Sequence, residues 1–168
     1  MTYRRILVAA DGSATSNKAL VAALEMASYS GGRSVIRLIH VLDELVYLPG
    51  LDPHAGQFGS AIRVMREAAE KVLADGLAIV QSAGVQADTV LVDRLGERLA
   101  ETVAAQAQEW NASLVVVGTH GRRGVGRMLM GSGAEQIIRL APCPVLVVRS
   151  AEGAAGRQNR PDAPDRPV

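Results

Sequence analysis

The chain has 168 residues, 48% of them apolar, a formal charge of +1 and a single cysteine. That length predicts one domain with one substantial core, and a near-neutral mixture of charges excludes a field strong enough to make nucleic acid or an anionic membrane the main partner. Aromatic residues make up only 3%, too few for platforms that stack single-stranded bases, and Cys143 closes no internal disulfide, which suits a reducing cytoplasm.

In chain order, the basic N-terminus MTYRR leads into an apolar run at 6–10 that stops at Asp11. It is too short for a signal-peptide core or a membrane span, so no membrane insertion and a cytoplasmic location are expected. Five β-branched runs follow one another along the chain: RILVAA (5–10), SVIRLIHV (34–41), DTVLVD (88–93), SLVVVG (113–118) and PVLVVR (144–149). Most are apolar at consecutive positions, the pattern of strands buried on both faces of a parallel sheet.

Helical periods fill the gaps. Ala19, Leu20, Ala23, Leu24 and Ala27 form one stripe; Ile62, Met65, Ala69, Val72, Leu73 and Val80 form a second; Leu99, Val103, Ala104 and Ala107 form a third. Ser132 and Glu135 have capping-box spacing, which predicts a fourth helix that starts at Ser132 and ends before Pro142. Strand and helix thus alternate as in a doubly wound, Rossmann-like α/β domain. Residues 43–60 are too long for an ordinary connection and read as a functional lid or a disordered loop. Residues 150–168 are proline-rich at their end and aperiodic, and read as a disordered tail after a domain at 1–149.

In such sheets ligands sit beyond the carboxyl ends of strands, where strand order reverses. If the first and fourth strands lie side by side, their ends deliver Asp11, Gly12 and Ser13 on one side and residues 118–132 on the other. That second stretch, GTHGRRGVGRMLMGS, is rich in glycine and holds Arg122, Arg123 and Arg127. Backbone N–H groups approach an anion closely where Cβ atoms are absent, and the start of the fourth helix adds its free N–H groups and positive dipole end. A phosphate ligand follows. The frame 126–132 lacks the lysine of a Walker loop, and the turn after the first strand, DGSATS, has one glycine where a dinucleotide fingerprint needs three. SGGRS at 30–34 reads as a helix-to-strand turn.

GTHGRRGVGRMLMGS also fits G-x2-G-x9-G-[ST], with Gly118, Gly121, Gly131 and Ser132 at the required positions. In that spacing it resembles the ATP-binding branch of the universal stress protein family. ILVAADGSATSNKAL resembles the family's opening strand and helix, and RLAPCPVLVVR its closing passage. The resemblance implies a five-stranded parallel sheet in the order 3-2-1-4-5 with helices on both faces, and a homodimer paired through the strand at 144–149. It also implies bound ATP, with Mg2+ carried by the phosphates.

Carried over residue by residue, Asp11 meets the ribose or a phosphate-bound metal, and Val41 faces the adenine. Gly118 and Gly121 let the loop close over ribose and phosphates, while Gly131, Ser132 and Gly133 hold the outer phosphates. Gly133 departs from the family's frequent β-branched residue. Each role has a competitor: Ser132 as a plain N-cap, Asp11 as an Asx-turn residue, the arginines as a solvated face. His40, His54 and His120 have no metal-ligand spacing, with each other or with Cys143. Cys143 reads as a small buried side chain, and Trp110 as packing. No evident base accompanies the loop, so the pattern favours binding over turnover. The sequence therefore suggests a stress-response protein acting as a nucleotide-dependent switch with an unknown protein partner. The alternatives are a slow ATP hydrolase or phosphotransferase, a nucleotide-free adaptor, or a binder of another anion such as a cyclic nucleotide.

Overall fold

The computed structural model describes residues 2–42, 56–93, 98–119 and 131–149. Nine elements alternate: β1 (Arg5–Ala9), α1 (Ala14–Ser28), β2 (Val35–Val41), α2 (Gly56–Ser82), β3 (Gln86–Val92), α3 (Leu99–Glu109), β4 (Leu114–Gly118), α4 (Ser132–Leu140) and β5 (Val145–Val148). All strand pairings are parallel and the sheet order is β3-β2-β1-β4-β5, as the alternation and the family resemblance anticipate.

The unbroken apolar runs lie where both faces are covered. Ile6, Leu7 and Val8 of β1 and Val115 and Val116 of β4 are fully buried. Even-numbered residues Ile6, Val8, Ile36, Leu38, Leu114 and Val116 pack beneath α1 and α2, which contribute Ala19, Leu20, Ala23, Leu73 and Val80. On the other face Leu7, Ile39, Val41, Val115 and Val117 pack beneath α3 and α4, through Ala100, Val103, Ala107, Ala134 and Ile137. Strands β3 and β5 are the edges. Every residue of β5 is half-buried.

One boundary and one cap differ from the sequence reading, while the fourth helix spans Ser132–Leu140 within the limits expected. The second helix begins at Gly56, so 56–60 are helical and not part of the long connection; the remaining 43–55 lie outside the described residues, as do 150–168. The fourth helix has Gly131, not Ser132, as its N-cap, and no side chain caps it. The capping-box expectation is therefore wrong: Ser132 is the first helical residue.

Trp110, the C-cap of α3, does more than fill space. The Arg37 guanidinium of β2 stacks 4.6 Å from its ring centroid and forms a fork with Asp88 of β3, Nε to Oδ1 and Nη2 to Oδ2, both at 2.7 Å. Arg5 approaches the ring at 6.0 Å and donates to the Trp110 carbonyl at 2.8 Å. The hydrogen bond to Asp88 raises the Arg37 pKa further, against partial burial, which lowers it. Three strands and a helix end are thus joined by planar stacking and bidentate pairing, which lysine cannot reproduce. Arg37→Lys is expected to cost about 1 kcal/mol in urea unfolding despite the conserved charge, and the difference between Arg and Lys should shrink in a Trp110→Leu background.

Candidate functional site

The carboxyl ends of β1 and β4 meet where the strand order reverses. After β1 the ladder runs one residue further, Ala10 N–H to Ile39 carbonyl at 2.9 Å. The chain then turns sharply through Gly12, whose φ of +77° is left-handed, a conformation natural to glycine. Asp11 Oδ1 accepts the Ser13 N–H at 2.9 Å, which is the Asx turn the sequence allows as an alternative to a ligand role. Ser13 caps α1 by accepting the Ser16 N–H at 3.2 Å. The Ser16 hydroxyl in turn accepts the Asp11 N–H at 3.1 Å and donates to the Ala9 carbonyl at 3.4 Å. Neither Thr15 nor Ser16 stands out in the sequence, yet both are 5% exposed and lie at the centre of this network. The only advance sign is the spacing of hydroxyl residues in DGSATS.

Across the crevice, Gly118 ends β4 against the backbone of α1. A Cβ there would lie 2.9 Å from the Thr15 carbonyl carbon and 3.0 Å from its oxygen. The sequence reading assigns the missing Cβ of Gly118 to a ligand; in the structure α1 occupies that space. Buried Thr119 then joins three elements. Its N–H donates to the Val148 carbonyl of β5 at 2.8 Å, and its carbonyl accepts the Gly131 N–H at 2.7 Å. Thr119 and Gly131, on either side of 120–130, are therefore joined directly. Gly121 and the three loop arginines belong to that stretch and lie outside the described residues.

From Gly131 the chain enters α4 directly, with Glu135 N–H bonded to the Gly131 carbonyl at 3.1 Å. Ser132 is exposed and Gly133 half-buried, at a helix start whose N-cap, Gly131, offers no side-chain acceptor to the first N–H groups. Among the described residues, a Cβ on Gly133 would approach the Leu99 Cδ2 alone, at 3.0 Å, the flexible tip of a side chain. Val41 ends β2 with its side chain 8% exposed, within the core beneath α3 and α4, and the strand continues by Leu42 N–H to the Val92 carbonyl at 2.8 Å. Asp11, Gly118, Gly131, Ser132 and Gly133 thus gather around the β1/β4 crevice, and Val41 lies at the same end of the sheet, one strand out from β1. Cys143 takes no part. It is half-buried against the α3/α4 side of the core, and burial raises its thiol pKa.

The model of the universal stress protein family matches residues 2–149. The chain belongs to that family. It is 34% identical over 158 residues to the universal stress protein YxiE of Bacillus subtilis, covering 88% of this chain and 99% of that one. A solved universal stress family structure from Burkholderia pseudomallei superposes with a TM-score of 0.68 at 36% identity, over 88% of this chain and 96% of the other. The universal stress protein of Archaeoglobus fulgidus, solved in complex with dAMP, gives 0.60 at 24% identity over 88% and 99% of the two chains. Two further universal stress structures, one in complex with cAMP and one from Arabidopsis thaliana with AMP bound, each give 0.62, at 21% and 17% identity. The last three likenesses show a shared fold.

The geometry separates a packing glycine from a helix-start serine. Gly118→Ala forces two backbones apart and is expected to cost about 2 kcal/mol without any ligand. Ser132→Ala, which removes no cap, should stay within about 0.5 kcal/mol of the parent protein in the same unfolding measurement, where loss of a true cap costs roughly 1 kcal/mol.

Proposed function

We propose that this universal stress protein binds ATP, with Mg2+ carried on the phosphates, in the β1/β4 crevice, and that it acts in the cytoplasm as a homodimeric nucleotide-dependent switch for a protein partner. The observation that carries the proposal is the junction at Thr119. A hydrogen bond holds the end of β4 to Gly131 at the start of α4, so a helix N-terminus with a glycine cap opens at the carboxyl ends of β1 and β4, where Asp11 follows β1 and the strand order reverses. Uncapped N–H groups and the helix dipole form a ready anion site. The adenine nucleotides in the complexes of three structural relatives support an adenylate as the ligand class.

In this reading Gly131, Ser132 and Gly133 hold the outer phosphates through N–H groups and the Ser132 hydroxyl, Asp11 takes the ribose or the metal, and Val41 offers backbone to the adenine. Gly118 contributes by admitting α1, and Gly121 by letting the loop close over ribose and phosphates. The carboxylate best situated for chemistry, Asp11, already accepts a backbone N–H. That favours binding over hydrolysis. No helix among the described residues is long and apolar enough to cross a membrane.

For the dimer, β5 is an edge strand of half-buried valine and leucine whose pairing within the chain is with β4 alone. An apolar edge of this kind demands cover. Sedimentation at micromolar concentration is expected to give twice the chain mass; a monomer would defeat this part of the proposal.

Calorimetric titration of nucleotide-stripped protein with Mg-ATP is expected to saturate near one ATP per chain. Nucleotide at a hundred times its Kd should stabilise the fold by about 2.7 kcal/mol. Both effects should vanish in Gly121→Val, provided that variant stays folded. No heat, no thermal shift and no displacement by AMP or cAMP would leave the adaptor reading in its place.

A further inference from the structure

We infer that Ser16 is the positioning residue that aims Asp11 at the nucleotide ribose, an inference that rests on the adenylate reading of the site. Ser16 is 5% exposed, so its side chain meets no ligand itself. Its hydroxyl is nevertheless the node through which Asp11 is held. It accepts the Asp11 N–H at 3.1 Å and donates to the Ala9 carbonyl at 3.4 Å, bridging the last residue of β1 to the residue two further on. Its own N–H donates to the Ser13 hydroxyl at 3.2 Å, and the Ser13 N–H donates to Asp11 Oδ1 at 2.9 Å.

Both the backbone and one carboxylate oxygen of Asp11 are therefore fixed by a ring of hydrogen bonds closed through Ser16. The turn they brace passes through Gly12 at φ +77°, a residue with no side chain to stiffen it. Without the Ser16 hydroxyl, the Asp11 N–H and Ala9 carbonyl lose the partner that holds them in register. The carboxylate then samples more orientations, and an interaction that depends on direction is lost before one that depends on burial.

The ribose hydroxyls report this directly. A carboxylate hydrogen-bonded to the ribose makes AMP bind more tightly than 2′,3′-dideoxy-AMP, by about 10-fold or more for a charged acceptor. The experiment measures the affinity of both nucleotides for the parent protein, Ser16→Ala, Asp11→Asn and the double variant, with thermal unfolding of each. Ser16→Ala should bind dideoxy-AMP about as the parent does and lose most of the preference for AMP. Asp11→Asn keeps the oxygen that accepts from Ser13; it should also lose the preference, and adding Ser16→Ala to it should change the ratio no further. Ser16→Cys, close in size but a much poorer acceptor, serves if the alanine variant unfolds and should show the same loss.

A parent-like preference in Ser16→Ala or Ser16→Cys overturns the inference, and so does an equal weakening of both nucleotides, which a merely structural serine would give. Those results leave the adenylate reading intact. A parent protein that binds neither nucleotide overturns that reading, and this inference with it.

Discussion

The close approach of Gly118 to the backbone of Thr15 is the contact on which the crevice depends. It is possible only because β4 ends on a residue without a Cβ, 2.9 Å from where the Thr15 carbonyl carbon would meet one. With α1 seated there, its first turn roofs the end of β4, and the Asp11–Ser16 hydroxyl network comes to face the chain leaving that strand. The fully buried centres of β1 and β4 make the arrangement stiff, since neither strand can shift without disturbing cores on both faces. Precision at the ends of these strands is inherited from burial at their middles.

Two helix N-termini face the crevice and are used differently. That of α1 is satisfied within the chain: Ser13 accepts the Ser16 N–H, and Thr15 and Ser16 are buried. Its dipole is spent on holding a turn. That of α4 has a glycine cap, no side-chain partner and an exposed serine in its first turn. Ser13 supplies α1 with a side-chain acceptor for one of its first N–H groups, whereas the Gly131 cap supplies none to α4, so in the proposed reading it is α4 that meets the incoming anion. The contrast follows from the residue before each helix, a serine that folds back in one case and a glycine already bonded to Thr119 in the other.

The sequence made the sheet legible because burial on both faces leaves the unbroken apolar runs at β1 and β4, and the helical stripes mark which side of each helix meets it. It misled where two causes share one spelling. Ser132 and Glu135 have the spacing of a capping box, and the helix does start at Ser132, but Gly131, whose N–H is bonded to Thr119, takes the N-cap position. GQFGS at 56–60 has two glycines and weak periodicity, so the first turn of α2 reads as loop. Trp110 reads as packing because its partners, Arg5 and Arg37, lie on strands far away in sequence, and so does Asp88, which holds Arg37; such contacts carry no periodic signal. Asp11 is the mixed case: its Asx turn is legible from the local residues, while Ser16, which completes the ring, looks like any serine in a helix.

The glycine signature itself combines separate physical demands. Gly118 is required by α1 whether or not a nucleotide is present, and Gly131 serves as both loop clasp and helix cap. A sequence could retain both for architecture after losing a ligand, so spacing alone cannot distinguish a binding protein from an adaptor. What distinguishes them is the state of the groups that architecture does not use. An adaptor gains nothing from a glycine at the N-cap of α4, since an N-cap side chain ordinarily contributes about 1 kcal/mol. Gly131 forgoes that contribution, and in the proposed reading a bound phosphate is the occupant that would repay it.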